Sequence, residues 1–521
     1  MARAKRWEHG GPPIVLAHGQ RYRKIYVLRF LVFNDSQPAS AVDLSGAYVF
    51  GSDAVPIRAD LDFKNGGLTC NMRVTGPAGL AVLWPVDGVG KILLETTRLQ
   101  ERKAPYVLSL ELARGQLMRF HHKSEEWGMF DCPDVADLNA EIKRASKMLV
   151  AGLQSDDPAE ASRLGNEALA LTVRVAEELT RMHAAILLQH RRETAGFSRL
   201  VFGCRAGPEN RTEDRGRALL DAFDFASVPV RWKQIEPAEQ TYDWQALDAW
   251  IEWLSGKGLP IKGTGLVSFQ EQDIPDWLYI WEHDFETVRE FVVGHVRRVV
   301  ERYAGYIQVW DAISGIHANQ AFSFNFEQLM ELTGAVVAET KRLAPRGTTL
   351  VELVAPWGEY YARNQRTIPP SLYAEMVLQS GINFDALGLQ FCFGVGTDGM
   401  FVRDMFQISS IIDKFGNFGK PLHITAVQVP SSPVARGPED ADAGAWHEPW
   451  NEAVQSRWLR CFYEIALSKP FVETVTWREL SDDGDHLIPC GGLLNADSTR
   501  KPAYDELLAM RKEFAPDAAP E

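Results

Sequence analysis

Residues 302–317 read RYAGYIQVWDAISGIH. The run IQVWDAI, rich in β-branched and aromatic residues, has the composition of a buried strand. Before it, FETVREFVVGHVRRVVERY spaces its apolar residues three and four apart, and FEQLMELTGAVVAETKRL does the same after it. Both are amphipathic-helix patterns. A buried strand between two such helices is the repeating unit of a parallel sheet with helical crossovers. Working outward, LVFGCRA, SVPVRW, IKGTGLV, TLVELVA, ALGLQF, HITAVQV and ETVTWREL supply seven more strands, with WQALDAWIEWLSGKG and EAVQSRWLRCFYEIALSK among the intervening helices. Eight units in roughly 320 residues predict an α/β (β/α)8 TIM barrel over 199–521, with its functional groups where the strands end at their C-terminal side.

The chain ahead of the barrel has a different period. KIYVLRFLVF, LTCNMRV, LAVLWPV, KILLETTRL, YVLSLEL and LMRFHH alternate apolar and polar residues in short runs, and KNGG and GPAG punctuate them. Residues 1–132 are therefore expected to form an antiparallel β-domain of sandwich or jelly-roll type. From 134 the apolar spacing becomes helical, and Asp157 followed by Pro158 marks a helix start. A helical hairpin and linker is expected over 133–198, with ETAGFS (193–198) as the boundary.

At 521 residues the chain exceeds what one hydrophobic core usually serves. Its 45% hydrophobic and 24% charged residues are those of a globular protein, and the formal charge of −14 argues against nucleic acid or an anionic membrane as partner. No apolar run approaches the roughly 20 residues of a membrane span, and the start MARAKRWEHGGPP has no apolar core of a secretory signal, so a cytoplasmic location is expected. Cys70, Cys132, Cys204, Cys392, Cys461 and Cys490 form no CxxC pair, which predicts buried thiols and no zinc site. Neither a metal nor a cofactor is expected. An oligomer is compatible with the sequence.

The strand ends carry motifs in a recognisable order. VRWKQIEPAEQTYDWQALD, GLVSFQEQDIPDWL, RYAGYIQVWDAI, LGLQF and GGLLNADSTRKPAYDEL resemble, in sequence, the second-strand, third-strand, fourth-strand, sixth-strand and closing motifs of the glycoside hydrolase family 10 xylanases. The resemblance covers about residues 199–512 and implies a retaining β-1,4-xylanase ancestry. Such a site needs a carboxyl acid/base and a carboxylate nucleophile about 5 to 5.5 Å apart. The family's W-D-V-V-N-E reads WDAISG here, placing Ser314 at the asparagine and Gly315 at the acid/base glutamate. Its I-T-E-x-D reads ITAVQ, with Ala426 at the nucleophile and Gln428 at the aspartate. Neither glycine nor alanine can transfer a proton or form a glycosyl ester.

By the same matching, Thr264, Phe269 and Cys392 stand at family histidines, Val228 at an asparagine, Arg231 at a lysine and Arg478 at a tryptophan whose ring shifts to Trp477. Gln390 and Trp232 are retained. Carbohydrate recognition without retaining chemistry is the preferred reading, with a poly- or oligosaccharide as partner. Arg231, Trp232, Gln390, Trp310, Trp357, Trp477 and Arg478 are the candidate ligand-binding residues, because aromatic faces suit pyranose rings and the polar groups suit hydroxyls or a carboxylate. The two new arginines suggest an anionic ligand. One alternative is a hydrolase with relocated carboxylates, for which Glu352 in the apolar run TLVELVA, Glu271 and Glu479 are candidates: a carboxyl buried on such a strand would be raised in pKa, as a general acid requires. Another is a structural or assembly protein. Asp311 and Glu236 are expected to be structural. His317, beside the missing acid, is either a proton carrier or an idle exposed loop residue.

Overall fold

The computed structural model describes residues 26–34, 36–74, 76–129, 135–194, 196–319, 321–434, 441–484 and 486–514. The start of the chain and Cys132 lie outside them. Eight parallel strands close a barrel: β1 (Phe202–Arg205), β2 (Phe225–Pro229), β3 (Ile261–Thr264), β4 (Ile307–Ser314), β5 (Thr348–Leu353), β6 (Ala386–Cys392), β7 (Leu422–Gln428) and β8 (Val472–Trp477). The register of Gly203 with Thr476 joins β8 back to β1. Each of the eight barrel strands expected from the sequence is present. They are legible because each is buried on both faces, which leaves a short continuous apolar run between helical segments.

Outside the barrel the described residues form a two-stranded ribbon, Phe33–Asn34 with Gln37–Pro38, and two larger sheets. One has four strands in the order Tyr106–Val107, Tyr26–Leu31, Gly67–Met72 and Ala59–Lys64; its pairs are antiparallel except the first. The other runs Ala445–Trp446, Gly90–Glu95, Gly79–Val86, Tyr48–Phe50 and Pro56–Ile57. Along Gly79–Val86 the two-residue period divides the strand between two cores. Leu80, Val82, Trp84 and Val86 join the main core, while Ala81 and Leu83 pack with Tyr48, Phe50, Phe401 and Ala443.

The helical layer departs from expectation. YVLSLEL and LMRFHH are not strands: apart from Tyr106 and Val107 they lie in one helix, α1 (Leu108–Glu126). The alternation of Leu108, Leu110 and Leu112 imitates a strand, but the buried residues Leu110, Ala113, Leu117 and Phe120 recur at three- and four-residue spacing and win. α2 (Ala136–Gln154) and α3 (Pro158–Thr194) occupy the span in which a helical hairpin was expected, and α1 adds a third long helix within the segment expected to be β. α3 does begin at Asp157-Pro158, and Asp157 Oδ1 accepts the Ala159 amide at 3.0 Å. At its other end, Arg191 Nη1 donates to the carbonyls of Leu467, Lys469 and Val472 at 2.9–3.2 Å, capping the helix Glu452–Ser468 of the barrel.

The N-terminal layers and the barrel are joined through an edge strand and polar side chains. Ala445–Trp446, from the loop after β7, forms an edge strand of the five-stranded sheet. Gly90 permits this, since a Cβ there would lie 2.3 Å from the Ala445 carbonyl oxygen and its φ is +105°. Lys91 bridges Asp43 at 2.6 Å and Asp442 at 2.8 Å. Arg403, fully buried after β6, pairs with Glu359 at 2.7 Å and donates to Tyr48 Oη at 3.2 Å. Cys70, Cys204 and Cys392 are buried as expected, whereas Cys461 and Cys490 are only half-buried. Among the described residues no helix is long and apolar enough to cross a membrane.

Candidate functional site

The C-terminal ends of the barrel strands enclose a pit of about 40 Å³. Arg205 from the end of β1, Arg231 just after β2 and Arg478 just after β8 reach it from three neighbouring strands. Ser314, Glu352, Gln390 and Ala426 line it from the opposite arc, and Ser268, Gln270 and Asp273 from the loop after β3. The β4–β5 register pairs Ser314 with Glu352, and the β6–β7 register pairs Gln390 with Ala426.

Glu352 is 2% exposed, and its Oε2 accepts the Ser314 hydroxyl. Its main-chain carbonyl accepts the amide of Gly315 at 3.1 Å. Gly315 is left-handed, with φ of +60°, and a Cβ there would lie 3.1 Å from the Val354 side chain. In the barrel interior Lys262 Nζ lies 3.1 Å from Asp311 Oδ1, with both side chains buried. Burial raises the Asp311 carboxyl above its usual range; the Lys262 ammonium opposes the rise and the Glu352 carboxylate adds to it. Asp311 is thus tied into the interior, consistent with a bracing role.

The guanidinium groups are loosely paired. Arg205 lies 3.4 Å from Glu479, Arg478 Nε 3.7 Å from Glu479, and Arg231 Nε 3.9 Å from Asp273. The Nε atoms of Arg231 and Arg478 are buried without a hydrogen-bond partner. Burial, and then the adjacent Arg478, lower the Arg205 guanidinium to about 10.

The sequence-derived candidates separate into groups. Arg231, Gln390 and Arg478 line the pit together with Glu352. Glu479, 9% exposed, does not line the pit but lies within 3.4 Å of Arg205, 3.7 Å of Arg478 and 3.6 Å of His486. Glu271 is exposed on the loop after β3 and does not line the pit. Trp232, Trp310 and Trp477 are buried in packing: Trp232 stacks on His295 and donates to Glu236 at 2.9 Å, Trp310 lies against Gly263, and Trp477 donates to the Gly491 carbonyl at 3.1 Å. Glu236 also accepts the Gln240 amide at 3.0 Å and pairs with Arg298 at 3.3 Å, which makes it a structural hub. Trp357 lines a different cleft of about 180 Å³, between the N-terminal sheet and the barrel, beneath the Arg403 guanidinium.

His317 is buried, not exposed, and both of its ring nitrogens are engaged. The Val354 amide donates to its Nε2 at 3.1 Å, so Nδ1 carries the hydrogen and donates to Tyr360 Oη at 2.6 Å, and burial lowers its pKa to about 3. The sequence reading did not single out Arg205 or Asp273. Arg205 was signalled by a lone cation closing the apolar run LVFGC; Asp273, in a polar loop, had no comparable signal. Among the described residues no group of three or more His, Cys, Asp or Glu side chains could hold a metal ion.

Comparison with known proteins places this barrel. The model of glycosyl hydrolase family 10 matches residues 226–510, more than half of the chain. Endo-1,4-beta-xylanase 3 of Hypocrea jecorina is 25% identical over 122 residues, which are 23% of this chain and 34% of that protein; the match thus spans about a third of the curated relative. Among solved structures, the GH10 protein of Paenibacillus barcinonensis is 16% identical, with a TM-score of 0.47 over 62% of this chain and 97% of that one. Native xylanase 10B of Thermotoga maritima is 15% identical, with a TM-score of 0.47 over 60% of this chain and 96% of that one. By the extent of the family match, the chain belongs to glycosyl hydrolase family 10.

Proposed function

We propose that the barrel mouth recognises a poly- or oligosaccharide and does not carry out retaining xylan hydrolysis. The observation that carries this reading is the identity of two positions: Gly315, directly after β4, and Ala426, which lines the pit from β7. These are the positions that the resemblance assigns to the acid/base and the nucleophile, and neither side chain can move a proton or attack a carbon. The polar lining, with three guanidinium groups and the amides of Gln270 and Gln390, supplies donors for hydroxyl or charged substituents of a sugar. The curated relative is named an endo-1,4-beta-xylanase, so xylan and its oligosaccharides head the panel to be tested. Calorimetry against plant, algal and bacterial oligosaccharides should detect binding, and reducing-sugar assays after prolonged incubation should detect no product. Release of sugar from any of them overturns the reading.

One observation favours a second reading. Glu352 is a buried carboxyl that lines the pit and is held by the Ser314 hydroxyl, the kind of positioned group that a rebuilt hydrolytic site requires. Under that reading product release occurs and is abolished by Glu352→Gln.

A further inference from the structure

We propose that the ligand of the barrel mouth is an acidic saccharide, and that Arg205, Arg231 and Arg478 grip its carboxylate. The inference rests on the carbohydrate reading above and names the substrate class of that same site. Its first support is placement. The three guanidinium groups stand side by side on β8, β1 and β2, and all three line one pit. Like charges brought together in this way repel one another, which is why Arg478 and Arg231 both act to lower the pKa of Arg205.

The second support is the state of their hydrogen bonds. Arg403, which joins the layers of the fold, has one close carboxylate partner, Glu359 at 2.7 Å, although its Nε is likewise unpartnered. At the pit the nearby carboxylates stand 3.4 to 3.9 Å away, and the Nε atoms of Arg231 and Arg478 have no partner although both are buried. The Arg478 side chain is only 8% exposed, so water has little access to it. A buried donor left unsatisfied destabilises a fold, and an incoming anion removes that penalty.

Size and charge then select the anion. The pit is narrow, about 40 Å³, and suits a small planar substituent better than a whole sugar ring. The ring then rides above the mouth while a substituent enters. The pit's charged lining is Arg205, Arg231 and Arg478 against Asp273 and Glu352, and Glu479 lies within 3.7 Å of Arg205 and Arg478, so the cationic excess is small and suits a single negative charge better than a dianion. A planar carboxylate also accepts two parallel N–H bonds from one guanidinium fork.

The experiment is calorimetry on the full chain with matched pairs: glucuronic-acid-bearing xylo-oligosaccharides and oligogalacturonides, each beside its carboxyl-reduced form, together with a sulfated oligosaccharide. The acidic member should bind at least about ten-fold more tightly than its reduced partner, in keeping with charge-assisted hydrogen bonds. Arg478→Gln and, separately, Arg231→Gln should remove most of that difference while unfolding cooperatively like the parent, and Arg478→Lys should restore only part of it. Equal binding of acidic and reduced forms overturns the acidic-ligand inference and leaves carbohydrate recognition standing. Tighter binding of the sulfated sugar overturns the carboxylate assignment. Failure of every sugar in both forms overturns this inference and the recognition reading together.

Discussion

Ser314 and Glu352 meet across the β4–β5 register, the hydroxyl of one donating to the buried carboxylate of the other at the edge of the pit. Replacing Ser314 by Ala removes that donor from a side chain 2% exposed. Stability is expected to fall by about 1–3 kcal/mol, read from the midpoint of urea unfolding. An unchanged midpoint would mean that Glu352 finds another partner.

Lys262 and Asp311 pose a sharper case, because both charges lie inside the barrel. Lys262→Met should leave an uncompensated carboxylate and lower stability by about 3–5 kcal/mol. The double variant Lys262→Met/Asp311→Leu should recover most of that loss, since the desolvation of both charges disappears with them. Denaturant titration of the two variants side by side distinguishes the outcomes.

Reinstalling glutamates at 315 and 426 is not expected to restore xylan hydrolysis. Position 315 is left-handed and crowded by Val354, so Gly315→Glu should cost about 1–3 kcal/mol through the backbone alone. Gly315→Ala isolates that cost. Arg478 would still line the pit, and buried Cys392 would still follow Gln390, where the family resemblance implies a tryptophan and a histidine. Measurable release of xylobiose from xylan by Gly315→Glu/Ala426→Glu would contradict the expectation.

Buried histidines set an acid limit. Burial holds His317 and His295 at about 3 and His183 at about 4, all below the ordinary value of 6.5. The unfolded chain therefore binds more protons than the folded one between pH 6.5 and about 3, so this contribution is complete above pH 6.5 and is lost as pH falls through that window. His295→Phe keeps a ring against Trp232 and removes one titrating group. Its unfolding midpoint should decline less steeply between pH 7 and 5 than that of the parent chain. An identical slope would sink the assignment.

Sequence patterning carried the barrel further than it carried the site. A strand buried on both faces announces itself by composition, as IQVWDAI does, whereas Leu108, Leu110 and Leu112 match two periods at once and only packing against α3 decides between them. At the site, Arg231 and Arg478 were singled out by their match to the family's strand-end motifs, and both line the pit. The tryptophans were not legible, since an indole that fills a core and one that receives a sugar look alike in sequence; Trp232, Trp310 and Trp477 all proved to be core.

The edge strand Ala445–Trp446 carries a consequence for how this polypeptide can be divided. A fragment starting near residue 199 would keep that strand but abandon the neighbour that hydrogen-bonds it, baring main-chain groups that pair readily with other molecules. It would also strand Arg403 without Tyr48 and Asp442 without Lys91. The barrel and the layers ahead of it are thus suited to inheritance and expression as a single piece, and recombination that shuffles whole modules would meet resistance at this seam.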